Sequence, residues 1–137
     1  MKFQTLQGSV RSVKKPQKYL IKWEKPSLSE FQFSVKEFLK TFWENQVVFE
    51  EFPIAGTKLS LDFFNASKNI AIEVQGAQHT KYTPFFHGNN KSNFIAQLRR
   101  DKDKLRFCEI NNIKLVEIYP EDKINKTLFK KQGVILL

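Results

Sequence analysis

The stretch Ser60–His79, SLDFFNASKNIAIEVQGAQH, limits what this chain can become. Ile70–Val74 (IAIEV) is a near-continuous apolar run, as expected of a central strand covered on both faces. Leu59–Asn65 reads as the strand before it, and Asn65-Ala66-Ser67-Lys68-Asn69 supplies turn-forming residues between the two. Asp62 lies in the first strand and Glu73 in the second. An unpaired carboxylate is costly to bury in such runs, so each needs a partner. In antiparallel strands the two can come opposite each other, and Gln75 emerges on the same face as Glu73. The simplest partner for two converging carboxylates is a divalent metal ion, because carboxylate oxygens are hard ligands and Mg²⁺ keeps several waters.

The chain of 137 residues has the length of one domain. A hydrophobic fraction of 41% with 14 phenylalanines is enough to build a core. The lone Cys108 leaves no intramolecular disulfide and no cysteine-rich zinc site. The amino terminus carries no long apolar run, so neither a signal peptide nor a membrane span is expected, and a cytoplasmic setting is. Lysines and arginines number 23 against 14 acids, a net charge of +9, which points to a polyanionic partner, nucleic acid first.

That charge is concentrated. Residues 1–26 hold Lys2, Arg11, Lys14, Lys15, Lys18, Lys22 and Lys25 against Glu24 alone. They are expected to form a basic, mostly extended arm with one short strand at Tyr19–Trp23, and residues 27–137 to form the folded domain. Such an arm can lie along phosphates or serve only as an edge strand guarded by lysines. Pro26–Glu30 opens a helix, with capping-box spacing at Ser27/Glu30 and again at Ser34/Glu37. Phe31, Val35, Phe38, Leu39 and Phe42 recur at helical spacing as its core face. Gln46–Phe52 reads as a strand, Gln75–Asn93 as a long irregular segment, and Phe94 to about Asn111 as a helix. In that helix Asp101 occupies the missing position of the stripe Phe94, Leu98, Leu105, Cys108. Lys114–Tyr119 is a further strand, and Asp122–Lys131 suggests a last helix.

The string LDFFNASKNIAIEVQGAQH resembles the core of the PD-(D/E)XK, or restriction-endonuclease-like, nucleases, in particular the branch of very-short-patch-repair enzymes and related phage homing endonucleases. The resemblance covers roughly residues 30–121. It implies an α/β fold in the order αβββαβ, with a mixed central sheet flanked by helices. It also implies a working set of a helix Glu, a strand Asp, a His and a further Asp: here Glu37 (or Glu30), Asp62, His79 and Asp101. Asp62 and Glu73 would hold Mg²⁺ or Mn²⁺, and the family's proline and lysine are replaced by Leu61 and Gln75. The water-orienting role of that lysine then passes to Gln75, His79 or another group. His87 has no such context.

The implied activity is metal-dependent, site-specific hydrolysis of double-stranded DNA by a phage-type homing endonuclease, working in the host cytoplasm if phage-encoded. Arg11, Lys14, Lys15, Lys18, Lys81, Lys91, Arg99 and Arg100 would contact phosphates. Phe85 and Phe86 could wedge between bases or pack under the loop. A double-strand cut would call for a homo-oligomer or two sequential nicks. The competing expectations are a mismatch-repair-type nickase and a non-catalytic DNA-binding module.

Overall fold

A computed structural model describes residues 1–76 and 91–137. Four strands form one sheet in the order β3 (Val48–Pro53), β4 (Ser60–Asn65), β5 (Ile70–Val74), β6 (Lys114–Ile118). The first three are antiparallel, whereas β5 and β6 run parallel. A parallel neighbour requires a crossover, and helix α2 (Lys91–Ile110) lies on that connection. Helix α1 (Glu30–Trp43) precedes the sheet and the short α3 (Lys126–Lys131) follows it. The expected α/β class, helix–strand order and mixed sheet are therefore present.

The sheet is buried on both faces. On one, Val35, Leu39 and Trp43 of α1 pack with Ile72, Val116, Ile118 and Phe129. On the other, Phe52, Phe64 and Ala71 pack with Phe107 and Cys108 of α2. Glu73 sits in the second layer as an almost fully buried acid, 4% exposed.

Four expectations need correction. First, residues 1–26 are not an extended arm. Lys2–Gln4 (β1) and Val10–Ser12 (β2) form a hairpin whose turn uses Gly8 at φ 89°. Its Phe3 is inserted into the sheet core, with ring centroids 5.7 Å from Phe52, 6.0 Å from Phe64 and 5.6 Å from Phe107. Asn111 at the end of α2 binds the Gln4 amide and carbonyl, so the hairpin is tied down at both levels. The strand expected at Tyr19–Trp23 is reduced to a bridge between Leu20 and Phe49, after a 3-10 turn at Pro16–Tyr19. That segment covers part of the β3 edge, which would otherwise invite foreign strands.

Second, α1 is capped by Ser29, whose hydroxyl accepts from the Gln32 amide, and not by Ser27. Ser27 instead donates to the Glu50 carboxylate. The buried stripe is Gln32, Val35, Lys36, Leu39 and Trp43, because two polar side chains turn inward to meet acids on β3. Phe31, Phe38 and Phe42 flank it half-buried. Third, the stripe expected on α2 is rotated. Leu98 and Leu105 remain 44% and 43% exposed, while Phe107 and Cys108 enter the core. Half-buried in the preceding turns are Phe94, Ala96, Gln97, Asp101, Asp103 and Lys104, four of them polar. The face of α2 toward the sheet is thus apolar at its C-terminal end and polar before it. The last helix is also shorter than expected, since Asp122 closes the turn on the Tyr119 amide and Asn125 caps the helix.

Candidate active site

Asp62 and Glu73 meet because of strand register. Phe63–Ile72, Phe64–Ala71 and Asn65–Ile70 are paired, and the next step sets Asp62 opposite Glu73. The backbone ladder stops there and side chains replace it. The Asp62 amide donates to Glu73 Oε2 at 2.7 Å, and the Val74 amide donates to Asp62 Oδ2 at 2.8 Å. Each acid therefore satisfies a backbone donor that the parting strands leave exposed. β5 goes on to bond β6, with the Gln75 amide donating to the Ile118 carbonyl at 2.7 Å.

The other neighbour of β4 is irregular at the same level. The pairs Glu50–Phe63 and Phe52–Leu61 bracket Glu51 and Asp62, and Glu51 holds φ at 53°. A left-handed non-glycine residue inside a strand costs on the order of 1–3 kcal/mol and persists only where neighbours enforce it. Here Gln32 Nε2 donates to Glu51 Oε1 at 3.0 Å and Ser60 Oγ to Oε2 at 3.2 Å. Beyond this kink the side chains change sides: Phe63 packs with the α1 layer, but Leu61 and Phe64 both pack with the α2 layer.

The residue that sequence reading missed is Lys104. From α2 its Nζ donates to Glu73 Oε1 at 2.6 Å. A lysine amid Arg99, Arg100, Lys102 and Arg106 reads as part of a solvated face. The only signal was its spacing, three residues after Asp101 and four before Cys108.

The electrostatics are lopsided. Burial, then the negative charge of Glu73, pushes the Asp62 carboxyl up to about 7, against the Val74 amide and Lys104. Burial also raises Glu73, although the charge and hydrogen bond of Lys104 favour its ionised form. The ammonium contacts Glu73 and favours its ionised form, while burial pushes both acids of the pair toward protonation. Burial works to lower Lys104, but Glu73 outweighs it and its pKa is raised. Glu51 adds a further negative charge that lifts both acids. Two carboxylates, Glu73 buried and Asp62 half-buried, thus face one ammonium, an arrangement short of positive charge.

The other expected site residues divide. Gln75 is buried, 5% exposed, beyond Glu73 on β5. Asp101 is half-buried on α2 and acts electrostatically on Lys104 and Tyr119. Glu37 and Glu30 are exposed, so α1 brings neither to the buried pair; it sends Gln32 to Glu51 instead. Arg11, Lys14, Lys15, Lys18, Lys91, Arg99 and Arg100 are exposed. His79, Lys81, Phe85, Phe86 and His87 lie outside the described residues.

No trio of His, Cys, Asp or Glu among the described residues is grouped to hold a metal ion. The pair Asp62–Glu73 still suits Mg²⁺, which takes one or two carboxylates and keeps its waters. The raised Asp62 marks where added positive charge would be stabilised. No helix among the described residues is long and apolar enough to cross a membrane.

No family model and no solved structure matches the chain. It is similar to uncharacterized protein 033L of Invertebrate iridescent virus 3, 33% identical over 95 residues, which is 66% of this chain and 48% of that protein. It is also similar to uncharacterized protein 307L of Invertebrate iridescent virus 6, 38% identical over 74 residues, or 53% of this chain and 37% of that one. A third relative, uncharacterized protein 094L of Frog virus 3, is 38% identical over 66 residues, 48% of this chain and 43% of the relative. The chain spans less than half the length of each of these viral proteins.

Proposed function

We propose that the protein is a metal-dependent DNA endonuclease of the PD-(D/E)XK type. One observation carries this reading: two like-charged carboxylates, Asp62 and Glu73, are set opposite each other where β4 and β5 part, with one lysine between them and α2. A fold needs no such pair for stability, since a buried and a half-buried acid against one ammonium oppose ionisation. The order of one helix, three antiparallel strands, a helix and a parallel strand agrees with the nuclease core.

In this reading Asp62 and Glu73 hold Mg²⁺ or Mn²⁺. The ion supplies charge neutralisation at the scissile phosphate and a more acidic bound water. Lys104 takes the place left by Gln75 as the cation beside the acids, oriented by Glu73 and biased by Asp101. Gln75 is a positioning group at the end of β5. Double-stranded DNA remains the proposed substrate, held by the exposed lysines and arginines. The phage-homing role, the host-cytoplasm setting and pairing into a homo-oligomer are finer proposals within this one, and the viral relatives favour a viral setting.

The test is conversion of supercoiled plasmid in Mg²⁺ and in EDTA, for the wild type beside Glu73→Gln and Lys104→Met. Metal-dependent nicking or linearisation that both variants lose is expected. Persistent binding of DNA with no cleavage on any substrate leaves a non-catalytic binding module.

A further inference from the structure

A second feature borders the acids from the β3 side. A cleft of about 430 Å³ opens between residues 18–28 and the β3 edge, a size within the ordinary range for ligand sites. Its rim carries Lys18, Lys22 and Lys25, all exposed. Its walls include the half-buried Tyr19 and two exposed apolar side chains, Leu20 at 45% and Leu28 at 80%. Leucine at that exposure over a cleft offers an apolar surface with no described partner.

The floor shows that the cleft is built. Lys36 is 1% exposed and binds both Glu50 Oε1 and the Lys25 carbonyl at 2.8 Å. Glu50 Oε2 also accepts from Ser27 and Gln32. The floor is thus satisfied and fixed, and it locks the lysine-bearing segment to the sheet. Lining lysines exceed lining acids four to two, so the cleft attracts an anion. One of those acids is Glu51, whose charge also reaches Asp62 and Glu73. The strand pairs Glu50–Phe63 and Phe52–Leu61 also bracket Glu51 and Asp62, so this end of the basic cleft lies one strand away from the acid pair.

We propose that this cleft seats a single-stranded segment of DNA running toward the acids, with phosphates on Lys18, Lys22 and Lys25 and a base against Tyr19, Leu20 and Leu28. A cleft with cations on the rim and apolar side chains in its walls suits a splayed strand, because unstacked bases can cover apolar surface that stacked, paired bases cannot reach. A duplex offers its phosphates but not its base faces. The preferred substrate would then carry an unpaired stretch beside the cut. Its direction rests on the endonuclease reading; the binding itself does not.

The experiment is fluorescence anisotropy in EDTA, where no hydrolysis enters. Probes are a labelled oligodeoxythymidylate of about 12 nucleotides, a duplex of equal length and the matching oligouridylate. The wild type should bind the single-stranded DNA at least about tenfold more tightly than the duplex. Lys18→Gln/Lys22→Gln/Lys25→Gln should flatten the salt dependence by about 2 in log–log slope, three contacts on a single strand. Leu28→Ser, at an exposed position, should weaken only the single-stranded probe. Equal or tighter duplex binding, tighter binding of oligouridylate, or an unchanged slope in the triple variant would overturn the proposal. A wild type that shows these binding results but cuts no plasmid keeps the cleft and loses the endonuclease reading.

Discussion

Two lysine–glutamate pairs approach the sheet from opposite layers, and they are not equivalent. On the α1 side Lys36 meets Glu50 at 2.8 Å; on the α2 side Lys104 meets Glu73 at 2.6 Å. The first pair is complete. Glu50 accepts from Lys36, Ser27 and Gln32, and Lys36 also donates to a backbone carbonyl. The second is unbalanced: the ammonium contacts Glu73, and burial with the Glu73 charge pushes the neighbouring Asp62 carboxyl up to about 7. A closed pair is what a structural ion pair needs, since every buried charge is met. An open pair retains capacity for another cation. The contrast separates scaffold from site without reference to any relative.

The largest difference should appear in activity. Under the proposed endonuclease reading Glu73→Gln removes a charge assigned to the metal and is expected to lower DNA cleavage by about a thousandfold with the fold retained. Its counterpart Glu50→Gln should change cleavage far less. Gel-based cleavage rates, beside circular dichroism of each variant, make the comparison.

Stability should order the pairs the other way. Lys36→Met strands Glu50 beneath α1 and should cost about 3 kcal/mol in urea unfolding, near the value for breaking a buried pair. Lys104→Met relieves no clash and strands Glu73, but Lys104 is 18% exposed at its side chain, so about 1–2 kcal/mol is expected. Equal losses would erase the distinction between the two pairs.

A smaller effect follows from protonation. Asp62 is held up to about 7 from an ordinary 3.8. Its folded form therefore keeps a proton that the unfolded chain releases. The stability tied to that proton is full below about pH 4 and is lost as pH rises through about 7. Asp62→Asn removes this loss. It should match the wild type near pH 4 and exceed it by roughly 1–3 kcal/mol at pH 8, read from unfolding midpoints at both pH values.

The hairpin that carries the acids was legible because its information is local. Ile70–Val74 is the strand the apolar run implied, and one turn brings Asp62 opposite Glu73. Lys104 was not legible, since it comes from 31 positions beyond Glu73 and charged helical residues usually face solvent. Glu37 was nominated by the resemblance and nothing in the sequence singled out Gln32, yet the helix turns Gln32 inward to the kinked Glu51. The basic segment was read as an arm because its lysines are plain in sequence. The role of Phe3 depends on Phe52, Phe64 and Phe107, which only the fold assembles around it. Phe3→Ala should accordingly cost about 3 kcal/mol or more, where an arm residue would cost almost nothing.

The most direct measurement is calorimetric titration of Mn²⁺ into the protein at pH 6.5, repeated in buffers of different ionisation enthalpy. Binding at the open pair must displace the proton held by Asp62, so heat that varies with the buffer and close to one proton released per metal is expected. Asp62→Asn should bind more weakly and release almost none. Mn²⁺ binding that releases no proton, or that Asp62→Asn and Glu73→Gln leave unchanged, would contradict a metal centre at this pair.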